Sequence, residues 1–140
     1  MYHHKETTKK SFLGKTLNNI ARIDESTVKI SFGDGEECIL DVEGDCCSHS
    51  IFYEIDFPEP AKGGVITDLD ESGYGDSKST STVDSEEVAT EKVKALFPDF
   101  YIECLSIWNV VFSTSKGDVI VRHINSSNGY YDGMTGYKFN

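Results

Sequence analysis

The densest run of chemically capable side chains lies between Gly44 and Ser50. There Asp45, Cys46, Cys47 and His49 offer four potential ligands or nucleophiles within five residues. Zinc takes such donors, but it demands tetrahedral geometry, and its thiolates usually come spaced as Cys-x2-Cys or wider. Adjacent cysteines on a strand project to opposite faces, so both reach one ion only from a sharp turn. Cys38 and Cys104 complete a set of four thiols. A vicinal pair is poor geometry for an ordinary disulfide, and the set reads as reduced thiols with no metal and no cofactor. Catalysis by Cys46 or Cys47 with His49 or His123 requires a positive potential to lower the thiol pKa. This segment supplies the opposite. Between Lys29 and Lys62 there is no lysine or arginine, while nine carboxylates occur. No catalytic residue is expected.

A second constellation is Ser126-Ser127-Asn128-Gly129-Tyr130-Tyr131-Asp132-Gly133. Asn-Gly favours a left-handed turn, and two tyrosines beside an amide could stack on a planar ligand. Arg22 and Arg122 are the only arginines, so Arg122 with Asn128, Tyr130 and Tyr131 is the place where a nucleotide could be held. The plainer reading is a hairpin loop whose tyrosines cover the core.

The third constellation is the carboxylate run itself. Glu37, Asp41 and Glu43 fall at even spacing on one expected strand, and Glu54 and Asp56 on another, with Asp34 and Glu36 at a hairpin tip. Residues i and i+2 of a strand lie about 6.6 Å apart. That is close to two phosphate rises of ~3.4 Å along a DNA strand. Like charges on neighbouring strands oppose folding, so such a row serves something other than stability.

The elements that must position these residues follow from the hydrophobic pattern. Residues 1–11 read as a polar basic tail, and 12–140 as one domain. Thr16–Ile23 and Thr27–Phe32 are expected strands, the second alternating Val28, Ile30 and Phe32 inward. Gly33-Asp34-Gly35 supplies a tight turn. The return strand puts Cys38, Leu40 and Val42 inward, and Ser50–Phe57 puts Ile51, Tyr53, Ile55 and Phe57 on one face. Gly63–Leu69 is a short edge strand, and 71–83 a mobile Ser/Gly/Thr-rich loop. Asp84 is the expected N-cap of a helix running to Phe97, with Glu87 at N3, burying Val88, Ala89, Val93, Leu96 and Phe97. Strands follow over Phe100–Ser113, Asp118–Asn125 and Gly136–Phe139. The expected fold is α+β: an antiparallel β-sheet, a meander of hairpins, with one main helix packed on it.

The net charge of −11 is unevenly spread. Residues 1–22 carry five bases and one acid, whereas residues 24–76 carry fifteen acids against Lys29 and Lys62. Such a field disfavours direct contact with nucleic acid or a membrane and favours a basic protein surface. No apolar stretch is long enough for a membrane span, and no signal-peptide pattern opens the chain, so a cytoplasmic location is expected.

Gly44-Asp45-Cys46-Cys47, after a hairpin with Asp34-Gly35, resembles a small family of uncharacterised proteins from bacteriophages and bacterial genomes. So does Thr114-Ser115-Lys116-Gly117 leading to Ser127-Asn128-Gly129-Tyr130-Tyr131. The resemblance covers residues 12–57 and 101–139, and the segment Gly63–Phe97 departs from it. It carries no assigned activity; what it implies is a phage-like context. The expectation is therefore a non-enzymatic counter-defence protein of the anti-CRISPR or anti-restriction type. Its acidic face (Asp34, Glu36, Glu37, Asp41, Glu43, Glu54 and Asp56) would cover a basic, nucleic-acid-binding surface of a host defence component. The alternative is a domain that sequesters a nucleotide immune signal. Exposed sheet edges leave a homodimer open.

Overall fold

A computed structural model describes residues 5–44, 49–73, 84–100, 104–127 and 133–139. Helix α1 (Lys5–Phe12) leads into strands β1 (Leu17–Asp24), β2 (Thr27–Phe32) and β3 (Glu37–Gly44). Strand β4 (His49–Asp56), a 3-10 turn at Glu59–Ala61 and β5 (Ile66–Gly73) follow. Helix α2 (Glu86–Leu96) then precedes β6 (Cys104–Thr114), β7 (Gly117–Ser127) and β8 (Gly133–Phe139).

These strands form two four-stranded antiparallel sheets, ordered β1-β2-β3-β8 and β4-β7-β6-β5. The expectation of one α+β meander carrying a main helix is thereby corrected: the fold is β-rich, and both helices are short. The reason is a pairing that no local pattern announces. Strand β3 does not turn into β4; its second neighbour is β8, with Leu40 opposite Tyr137 and Gly44 opposite Gly133. Strand β4 instead joins β7 in the other sheet.

The inner faces of the two sheets share one core. Ile20, Val28, Ile30, Phe32, Cys38, Leu40 and Tyr137 from the first sheet meet Phe52, Leu69, Val110, Phe112, Val119 and Val121 from the second. Phe12 closes this core from α1 and touches four other aromatic rings, with centroids 4.9 Å from Phe139 and 5.2 Å from Phe112. From Lys5 onward the segment expected as a polar tail is thus helical, up to Phe12, which is fully buried.

Two backbone seams join the sheets. On one side Leu17 N–H donates to the Gly64 carbonyl and Ile66 N–H to that of Lys15, at 2.8 and 2.9 Å. On the other, Phe52 N–H donates to the Glu25 carbonyl at 2.8 Å.

The outer face of the second sheet holds a separate apolar cluster under α2. It comprises Ile51, Tyr53, Ile107 and Ile124 with Ala89, Val93 and Phe100. Strand β4 is therefore buried on both faces, and the single apolar stripe read from its sequence is divided between two cores. The division is made by a register shift between Phe52 and Glu54. An extra residue there turns two successive side chains to one side. Tyr53 and Glu54 both address α2, while Phe52 and Ile55 face the inner core. The helix begins one residue later than expected, with Ser85 Oγ accepting from Val88 N–H. Val88 and Leu96, expected inside, are 42% and 54% exposed.

Candidate functional site

The seven carboxylates singled out from sequence do not form one face. Asp34 and Glu36, at the β2–β3 turn, both bind Lys15 Nζ. Those two bonds, Glu36 first, raise the lysine above its ordinary range, and Asp34 is lowered in return. Glu37 lies 3.4 Å from Lys29 Nζ, and Asp41 accepts from the Thr27 hydroxyl at 3.2 Å. Glu43 stands on β3 opposite Met134. Registers show why the β3 row is not a pure field of negative charge. Between Glu37 and Asp41 sits Ile39, flanked by Lys29 of β2 and Lys138 of β8.

Glu54 and Asp56 belong to the other sheet. Glu54 is drawn into an ionic cluster beneath α2. Lys92 Nζ lies 2.9 Å from Glu54 and 3.0 Å from Asp84, and the Tyr53 hydroxyl donates to Asp84 at 2.9 Å. Arg122 Nε is 3.4 Å from Glu54 and 3.5 Å from Asp84, within reach of charge attraction but without hydrogen-bond geometry. Desolvation pulls Lys92 down, yet its bonds to Glu54 and Asp84 outweigh it and leave the group above its ordinary range. Burial, reinforced by Asp84, pushes the Tyr53 phenol up, so it stays a donor. The cluster balances two acids with two bases and clamps α2 to the sheet. Arg122, proposed as a phosphate clamp in the alternative reading, has only 11% of its side chain exposed and is committed to these carboxylates. Asn128, Tyr130 and Tyr131 lie outside the described residues.

A different acidic surface emerges on the outer face of the second sheet, beyond α2. Alternation fixes which residues face outward, because Leu69, Val110, Phe112, Val119 and Val121 all point into the shared core. One cross-strand row then runs Asp56, Ile120, Val111, Asp70. The adjacent row runs Asp118, Ser113, Asp68. Neither row contains a lysine or arginine; Lys9 of α1 reaches them from outside through an ion pair with Asp68. Of these four aspartates only Asp56 was singled out from sequence. Asp68 and Asp70 flank the apolar Leu69 at the same i, i+2 spacing as the β3 carboxylates, a pattern legible in the sequence. What joins them to Asp56 and Asp118 is strand order.

The cysteine reading is resolved only at Cys38. Burial pushes its thiol up to about 12, and the thiol is free and inert at neutral pH. Asp45, Cys46 and Cys47 lie outside the described residues, and the side chains of His49 and Cys104 are not described. Among the described residues no cluster of three or more His, Cys, Asp or Glu could hold a metal ion. No helix among them is long and apolar enough to cross a membrane.

Residues 10–135 match the family described as Domain of unknown function (DUF7448), and the chain belongs to that family. No curated protein and no solved structure matches it.

Proposed function

We propose that this DUF7448 protein is a non-enzymatic, phage-type counter-defence protein whose acidic surface covers a basic, nucleic-acid-binding surface of a host protein. The observation that carries this reading is the pair of outer rows on the second sheet, which place Asp56, Asp70, Asp118 and Asp68 on one surface and include no lysine or arginine among the row positions. Their spacing suits the role. Asp68 and Asp70 are about 6.6 Å apart along β5, and Asp118 is diagonal to Asp56 at about 7–8 Å. Ile120, half-buried, sits between them as an apolar contact for the partner. The first sheet is the weaker surface, because Lys15, Lys29 and Lys138 interrupt its carboxylates.

The test uses tagged protein and bacterial lysate. Nucleic-acid-binding proteins should be retained at low salt, released at high salt and displaced by duplex DNA, because steering between charged surfaces is screened. Reversal of the new face (Asp56→Lys, Asp70→Lys, Asp118→Lys) should abolish retention, while Glu37→Lys with Asp41→Lys should weaken it little. Retention that ignores both salt and DNA would end this reading.

A further inference from the structure

The interior of the second sheet contains a group that the acidic surface does not use. His123 is fully buried on the inner face of β7, opposite Phe52 of β4 and Trp108 of β6. Its ring centroid lies 3.7 Å from that of Trp108 and 5.7 Å from that of Phe52. Neither ring nitrogen has a hydrogen-bond partner among the described residues. Two residues further along β7, Asn125 is also fully buried, donates to Ser50 Oγ at 2.6 Å and leaves its own Oδ1 without a partner. Ser50 and Phe52 belong to β4, an edge strand of its sheet.

Among the described residues, the charged groups around this position give a protonated ring no counter-ion. Glu71, on the inner face of β5, accepts from the Tyr137 hydroxyl across the core. Arg22 of β1 donates to the Phe52 carbonyl and is itself a cation. Arg122, Glu54, Asp84 and Lys92 stand on the opposite face of the sheet, beneath α2. On the first sheet, Glu37 pairs with Lys29 and Asp41 with Thr27, and Lys138 is exposed. Burial holds His123 well below the usual histidine range. A cation in such surroundings must find water, and β4, which pairs with β7 beside it, is an edge strand.

We propose that His123 is an acid-sensitive pin: protonation is accommodated only when the first half of β4 parts from the end of β7, opening one end of the sandwich. The polar cluster marks where the opening starts, because Ser50 and Asn125 fill core positions without the stabilisation that apolar residues would give. Among the described residues, the remaining core, from Phe12 to Val121, holds no buried polar side chain without a partner, and it stays closed.

Hydrogen exchange of the full chain, corrected for intrinsic rates, tests this. Amides of Ile51 and Ile124 should lose protection about tenfold per pH unit below about pH 6.5. Those of Val28, Ile30 and Leu40 should keep theirs. His123→Phe retains an aromatic ring between Trp108 and Phe52 and should abolish the pH dependence. Simultaneous loss across both sheets, or an unchanged pH dependence in His123→Phe, would overturn the proposal. Should that variant fail to fold, the imidazole carbon resonance of His123 in the unmodified protein decides instead. Titration near the ordinary histidine value without loss of β4 protection would equally overturn it.

Discussion

Among single residues, the interactions that matter most cross between layers. Tyr137 of β8 and Glu71 of β5 come from different sheets, and the phenol donates to the carboxylate at 2.8 Å inside the shared core. Burial first, and the adjacent carboxylate second, push the phenol well above its ordinary range, so it never competes as an anion. Removing the hydroxyl leaves a half-buried carboxylate without this donor. Tyr137→Phe should therefore lower stability by about 1–2 kcal/mol, read as a lower urea midpoint with an unchanged slope. Phe139 was legible as a strand residue from its neighbours, and Tyr137 as well. Glu71 was not, because it begins the Ser/Gly-rich stretch that reads as loop.

At the scale of elements, the two helices differ in what holds them. Helix α1 is short and polar, and Phe12 at its end docks it. Phe12→Ala removes an aromatic side chain that touches Phe32, Phe112, Tyr137 and Phe139, and should cost about 3–5 kcal/mol. Helix α2 rests on Ala89, Val93 and the clamp of Lys92 with Glu54 and Asp84. Loss of its cap in Ser85→Ala should cost about 1 kcal/mol. Thermal melts of the two variants should therefore separate clearly, with Phe12→Ala the more damaged. The helix pattern of α2 was legible one residue out of register, since Asp84 and Ser85 are both good caps. Asp84 is taken instead by Tyr53 and Lys92, partners on an element 31 residues away in sequence and on the helix itself.

For the molecule as a whole, pH acts through the difference between buried and exposed histidine. The unfolded chain takes up a proton at His123 near pH 6.5, whereas burial keeps the folded ring neutral well below that. Below about pH 6.5 the unfolded state thus binds more protons, and stability falls with falling pH by up to about 1.4 kcal/mol per unit. Above that pH the group contributes no slope. Urea titrations at pH 7.5 and 5.5 should show this loss, and His123→Phe should flatten it. The same scale governs the acidic surface. A net charge of −11 is a property of the sequence, but the way it is presented depends on how four strands are ordered.

Individual strands, turns and the helix are local events, set by apolar alternation, Gly-rich reversals and capping residues. The sequence determined these by itself: the paired strands around Gly33-Asp34-Gly35, the inward Val28, Ile30, Phe32, Cys38 and Leu40, and the acidity of the stretch from Lys29 to Lys62. Tertiary structure alone decided that β3 pairs with β8 and that β4 carries two buried faces across a bulge. It also decided that Asp56, Asp70 and Asp118 share a surface. Register between strands far apart in the chain is set by which faces can be buried together, and that depends on the whole core. The charge excess is written in the residues; the surface that carries it is written in the strand order.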